Sequence, residues 1–272
     1  MTLHGLNVDG FDIDEKAVQR ALDHGVIQKK AVSFEDYDYY IICISTHRSE
    51  NMYEPFFEGL YDTAYRISHE GKTGSLVAIE STITKGTTYK IMQILKHRLH
   101  VAHFPHRFYA QEKEEHGVRQ IRVLGACEAC CLDRAVHFYE DLLGIPIHVV
   151  KSVEVAELSK VIENSYRFLE IAFAEELKMF CDSFNIDFEE LRAGINSKWN
   201  IKIHEAREGI GGHCLPKDAQ MYLEMAKKVL KPSIIDSAKK IDYLYKLSVQ
   251  RKREPIPSIT LKLLRNGKHQ HK

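Results

Sequence analysis

A chain of 272 residues, 44% of them hydrophobic, is long enough for one large or two medium domains with buried cores. Lys plus Arg number 38 and Asp plus Glu 38, so no global field favours nucleic acid or an acidic membrane, and any anion site must be local. With no leader-like N-terminus, no run near the roughly 20 apolar residues of a membrane span, and six irregularly spaced cysteines, the expectation is a cytoplasmic protein with reduced thiols and neither nucleic-acid nor membrane partners.

Leu6 to Ile13 reads as a short strand, and Asp14 and Glu15 open a helix whose periodic positions Ala17, Val18, Ala21 and Leu22 run up to Gly25. Tyr39 to Ser45 is a continuous apolar run of buried-strand type, Phe56 to His69 a helix, and Ser75 to Glu80 a second buried strand. Thr87 to His97 is helical and Ile121 to Gly125 strand-like. Short apolar strands alternating with helices predict a parallel sheet covered on both faces, the Rossmann-like α/β class.

The pattern changes near Val149. Val153 to Phe184 contains no Gly or Pro, and Val155, Leu158, Ile162, Leu169, Phe173, Leu177 and Phe180 form a stripe at helical spacing, which predicts one long helix. A helix from Asp187 to Ile195, a loop through Asp218 and helical material from Ala219 to Leu247 complete an all-helical second domain. The expected domains are 1–150 and 151–250, followed by a basic tail, 251–272, that is poorly ordered. No internal repeat stands out.

In the run Gly209-Ile-Gly-Gly-His-Cys-Leu-Pro-Lys-Asp218, three glycines permit tight turns and close backbone approach to a ligand just before a thiol. Local composition leaves two readings of Cys214 open, an incidental thiol in a surface turn and a framed nucleophile. Lys160 and Asn164, four residues apart, share one helix face and suit oxyanion stabilisation, but equally an ordinary polar face. Asp218 is a base or orienting carboxylate on one reading and a solvated loop residue on the other.

Val155-Ala-Glu-Leu-Ser-Lys-Val-Ile-Glu-Asn164 together with the Gly209 to Asp218 run resembles the nucleotide-sugar dehydrogenases, whose pattern is approximately A-E-x-x-K-x-x-E-N followed by G-x-G-G-H-C-x-P-x-D. The likeness extends to Gly10-Phe-Asp-Ile-Asp14, Ile44-Ser-Thr46, Glu80-Ser-Thr-Ile-Thr-Lys-Gly86 and Arg122-Val-Leu-Gly125. It implies NAD-dependent, four-electron oxidation of a nucleotide-sugar alcohol to a uronic acid. Cys214 would form a thiohemiacetal and then a thioester. Lys160 and Asn164 would hold oxyanions, and Asp218 with Thr82 would position the hydrolytic water. The resemblance further implies NAD contacts from Asp12, Ser45, Thr46, Ser81 and Thr82, substrate contacts from Arg107, Asn196, Lys198, Asn200, Gly211 and Gly212, and a homodimer built through the long helix. Asp12 also ends a strand where dinucleotide folds place an acid on the ribose hydroxyls.

Three departures accompany the likeness. No G-x-G-x-x-G occurs, so the Rossmann-like sheet is expected to be incomplete, lacking its first strand and phosphate loop. His106 stands in Phe104-Pro-His-Arg-Phe108 where relatives have glutamate, and a neutral imidazole can do the same acid or base work near pH 7. The relatives' C-terminal domain has no counterpart before the tail. These departures keep a second reading alive, a non-catalytic dimeric relative that binds or regulates. Two metal patterns, the His97, His100, His103, His106 series and Cys127-x-x-Cys130-Cys131, do not convince, because a three-residue period does not keep ligands on one face of a strand and the cysteine cluster lacks a second close-spaced pair. The expectation is therefore no metal, with Cys130 and Cys131 on a helix packing face.

Overall fold

The computed structural model describes residues 1, 5–48, 50–51, 53–107, 117, 120–231 and 233–250. The chain divides into two compact units, Met1–Glu163 and Asn164–Lys272.

In the first unit, β1 (Asp9–Gly10) and β2 (Lys29–Lys30) form a short parallel pair. Between them runs α1 (Glu15–Asp23), opened by the Asp14 carboxylate, which accepts from Lys16 N at 3.0 Å, and followed by Gly25 at φ +64°. Only two residues of the expected Leu6 to Ile13 strand are paired. A separate five-stranded sheet has the order β3 (Tyr39–Ile42), β4 (Leu76–Ile79), β5 (His100–His103), β6 (Arg122–Ala126) and β7 (Ile147–Val149). Neighbours are parallel except β5 and β6, which run antiparallel. The sheet is thus parallel, as expected, except between β5 and β6, where the chain leaves one strand and starts the next at the same end of the sheet.

Helices α2 (Glu58–Glu70), α3 (Thr87–Ile94) and α4 (Ala129–Val136), the last running into a π-helical turn at His137–Leu142, cover the sheet. The continuous apolar run of β4 is explained by its burial on both faces. Val77 and Ile79 join Leu60, Ile67 and Ile91 on one side, while Leu76 and Ala78 join Leu124 and Phe138 on the other. Gly125 of β6 lets the following helix approach closely, since a Cβ there would lie 2.8 Å from Ala156 Cβ and 2.9 Å from Val153 Cα.

That helix, α5 (Val153–Phe184), has the predicted bounds and continues into the second unit. Phe168 and Ala172 on it pack with Ile210, Ala219, Ile235 and Ala238. The others are α6 (Phe188–Asn196), capped by Asp187 accepting from Glu190 N at 2.9 Å, α7 (Cys214–Ala226) and α8 (Ile234–Gln250). The helical material expected from Ala219 to Leu247 forms these last two helices, and one expectation is corrected: the first of them begins five residues early, so Cys214 and Asp218 lie on α7 rather than in a loop. Pro216 is compatible with this start because a first-turn N–H has no intrahelical partner to lose. The tail 251–272 lies outside the described residues.

Candidate active site

Cys214 is exposed at the first position of α7, after His213. The unpaired amides of a helix's first turn favour negative charge there. The preceding loop is held to α8 by two residues that sequence reasoning missed. Ile210 N donates to Asp242 Oδ1 at 2.7 Å, and Lys246 Nζ donates to Ile210 O at 2.8 Å and to Asp242 Oδ2 at 2.7 Å. Gly209, at φ +98°, lies so close to this lysine that a Cβ would sit 2.4 Å from Lys246 Cγ, and Gly212 is at φ +75°. Gly211 has open space around it.

One helical turn after Cys214, Asp218 is fully buried. Asn164 Nδ2 donates to Asp218 Oδ2 at 2.5 Å, and Lys217 Nζ lies 2.7 Å from Oδ1 in an ion pair that aligns no hydrogen bond, leaving Oδ1 unused acceptor capacity. The solvated-loop reading of Asp218 is thereby overturned. Lys217 is also buried, which its sequence did not signal because lysines are ordinarily exposed. Lys160 lies one turn before Asn164 on α5.

Asn196 serves its own backbone, donating from Nδ2 to Ile203 O at 3.0 Å and accepting at Oδ1 from Ile203 N at 2.6 Å. The loop so closed exposes Lys198, Trp199 and Asn200. Asn200 and Trp199 line a groove of about 590 Å³ with Tyr166, Phe173 and Ile234.

In the first unit, the nominated polar residues gather after the carboxyl ends of the parallel strands. Ser81 Oγ donates to Ile44 O and accepts from Ile44 N, both at 2.8 Å, and Thr46 Oγ1 donates to Thr82 O at 2.7 Å. These hydroxyls fasten the two strand ends together. Ser45 Oγ lies 2.7 Å from His47 Nδ1. Asp12 follows β1, exposed, with Oδ1 accepting from Asp14 N at 2.8 Å. An exposed acid at that strand end fits a ribose diol, and the half-buried Thr82 fits a cofactor or water contact.

His106 is half-buried, and its backbone N donates to Glu80 O at 3.3 Å. Burial, then Arg122 and Lys160, lower its pKa below the ordinary 6.5 against the opposing pull of Glu80, so the imidazole is neutral at pH 7. Arg107 is committed within the unit, forming a two-pronged pair with Glu163 (Nε to Oε2 3.0 Å, Nη2 to Oε1 2.9 Å) and donating to Ile121 O at 2.9 Å. Beneath them lies a cluster the sequence did not reveal. Buried Arg122 pairs with Glu80 Oε2 at 2.8 Å and stacks over Phe104, and Tyr139 OH donates to Glu80 Oε1 at 2.8 Å. Glu157 is likewise buried, accepting from Gly86 N at 2.6 Å and from Thr88 N and Oγ1 at 2.7 and 2.6 Å, so it caps α3 from α5.

Residues 154–243 match the central domain of the UDP-glucose/GDP-mannose dehydrogenase family. The UDP-N-acetyl-D-mannosamine dehydrogenase of Methanococcus maripaludis is 28% identical over 247 residues, covering 81% of this chain and 56% of that protein. The chain is similar to nucleotide-sugar dehydrogenases. An NDP-N-acetyl-D-galactosaminuronic acid dehydrogenase of Ralstonia nicotianae is 27% identical over 224 residues, covering 77% of this chain and 52% of its own length. Among solved nucleotide-sugar dehydrogenases, the UDP-D-ManNAc enzyme of Pyrococcus horikoshii superposes with a TM-score of 0.72 at 25% identity, over 94% of this chain and 61% of that one. The chain spans about half the length of these curated dehydrogenases.

Proposed function

We propose that the chain acts in the NAD-dependent, four-electron oxidation of a nucleotide-sugar C6 alcohol to a uronic acid, with Cys214 as covalent nucleophile. The observation that carries this reading is Cys214 on the first turn of α7, with buried Asp218, held by Asn164 of α5, one turn further along α7. NAD, when bound, takes two electrons in each of two oxidations, and Asp12, Ser45, Thr46, Ser81 and Thr82 would hold it.

The remaining work falls to the chain's own groups. Cys214 Sγ adds to the carbonyl carbon of the aldehyde left by the first oxidation, making a C–S bond, and the carbonyl oxygen gains a proton to give a thiohemiacetal. Lys160 and Asn164 stabilise the oxyanion that precedes that proton. The second oxidation leaves a thioester. Water cleaves its C–S bond, returning the thiol and releasing the carboxylate, so one alcohol, one water and two NAD give one carboxylate, two NADH and three protons. Asp218, oriented by Asn164 and Lys217, and Thr82 position this water, and the neutral imidazole of His106 is able to accept its proton. Gly211 and Gly212 give the substrate close access to the Cys214 loop, and Arg107, Asn196, Lys198 and Asn200 are its further contacts.

Exposed Tyr166, Phe173, Phe180 and Phe184 repeat along α5 at intervals of seven, seven and four, the pattern of a helix that meets a partner helix. We assign this face to a second copy in a cytoplasmic homodimer. Among the described residues, no helix is long and apolar enough to cross a membrane. The commitment of Arg107 to Glu163 favours the alternative of a non-catalytic binding or regulatory dimer.

Incubation with NAD and a panel of UDP- and GDP-sugars, followed at the NADH absorbance, separates the two. Two NADH per sugar, abolished by Cys214→Ser, are expected, and a UDP-sugar 6-aldehyde should add its mass to Cys214. Failure of both readouts would leave the non-catalytic reading in place.

A further inference from the structure

The two metal patterns set aside in the sequence meet in the folded chain, one residue from the histidine series joining two from the cysteine cluster. His100 is the first residue of β5, and Cys130 and Cys131 stand in the first turn of α4. A ring nitrogen of His100 and the two thiol sulfurs all lie within 4.8 Å of one another. Cys131 is buried, His100 half-buried and Cys130 exposed, so the group has a dry floor and an open mouth. Its frame is rigid, because Leu76 is the register partner of His100 and the backbone N of His100 donates to Ser75 O at 2.9 Å. Glu128 stands beside it, with Oε2 3.8 Å from Cys130 Sγ and Oε1 3.6 Å from His97 Nδ1. The cluster lies at the amino end of β5, whereas His106 follows its carboxyl end.

We propose that His100, Cys130 and Cys131 bind a thiophilic divalent cation, zinc or its congeners, with Glu128 or a water as fourth ligand, bracing α4 against β5. Two sulfurs, one imidazole nitrogen and one oxygen suit tetrahedral zinc, with bonds of about 2.3 Å to sulfur and about 2.0 Å to nitrogen. Donors bound tetrahedrally at those lengths lie roughly 3.5–3.8 Å apart, so the three, already within 4.8 Å of one another, need close by only about 1 Å. The other histidines of the series stay outside the donor set, with His103 fully buried and lowered by that burial to a pKa of about 3. The site is independent of the proposed dehydrogenase chemistry.

The test uses the full chain, reduced and freed of metal by chelation, titrated with Co²⁺ and then with Zn²⁺ in competition with a chromophoric chelator. One equivalent of Co²⁺ should produce thiolate-to-cobalt charge-transfer absorption, Zn²⁺ should bleach it, and Zn²⁺ should raise the melting temperature. His100→Gln and Cys130→Ser should each weaken zinc binding about tenfold or more, while Cys214→Ser leaves it unchanged. Cys130 is exposed, so its variant should fold; if it does not, His100→Gln decides alone. Absence of the charge-transfer band, or wild-type zinc affinity in His100→Gln, would falsify the site.

Discussion

Asn164 Nδ2 donates to Asp218 Oδ2 across 2.5 Å, and this bond ties the polar face of α5 to α7 one turn past Cys214. The carboxylate it holds is fully buried, and its other oxygen faces the buried ammonium of Lys217 at 2.7 Å. A charge so placed needs its partners, and removing one leaves the other unsolvated.

Lys217→Met should therefore destabilise the protein by about 3–5 kcal/mol, because Asp218 stays buried without its counter-charge. Urea denaturation at pH 7 measures this. A loss below about 1 kcal/mol would mean that water reaches Asp218.

Glu157→Gln should cost about 1–3 kcal/mol, because a carboxylate taking three hydrogen bonds from Gly86 and Thr88 is replaced by an amide whose NH₂ faces donors. Amide exchange should quicken at the start of α3. Unchanged exchange there would show that the cap contributes nothing to local order.

Glu175 is buried with neither carboxylate oxygen hydrogen-bonded, and its pKa is raised from 4.5 to about 8, by burial first and then by Asp242. The folded chain holds this proton until about pH 8 while the unfolded chain releases it near 4.5. Its contribution to stability is thus fully present below pH 4.5, declines across that window and is lost above it. Glu175→Gln should raise the melting temperature at pH 8 and change it little at pH 4.5. Equal shifts at the two pH values would contradict the assignment.

Phe173→Asp with Phe180→Asp should convert a dimer to a monomer in light scattering without unfolding it, since both side chains are about half exposed in the single chain. A wild-type chain that is already monomeric, or a double variant that remains dimeric, would count against a partner on this face.

Much of the fold was legible along the chain. The unbroken apolar run of β4, the absence of Gly and Pro from Val153 to Phe184 and the acidic cap before α1 are local properties, set by which side chains must leave water and which backbone conformations they allow. The antiparallel placement of β6 was not legible, because strand direction is decided by pairing between segments distant in sequence. Nor was the early start of α7. Gly and Pro around Cys214 read as loop residues, yet Pro216 is compatible with a first turn, and burial of Ala219 and Met221 anchors the helix that begins there.

The sequence by itself determined the glycine-framed Cys214 motif, the polar pair on α5 and the α/β-then-helical order, since each is written in spacing and residue type. Only the tertiary structure decided that Asp218 is buried on Lys217, that Asp242 and Lys246 hold the Cys214 loop, and that His100 meets Cys130 and Cys131. Desolvation and proximity belong to the packed state. Residues 30 apart in the chain acquire a shared chemistry only when strand pairing and helix burial bring them together.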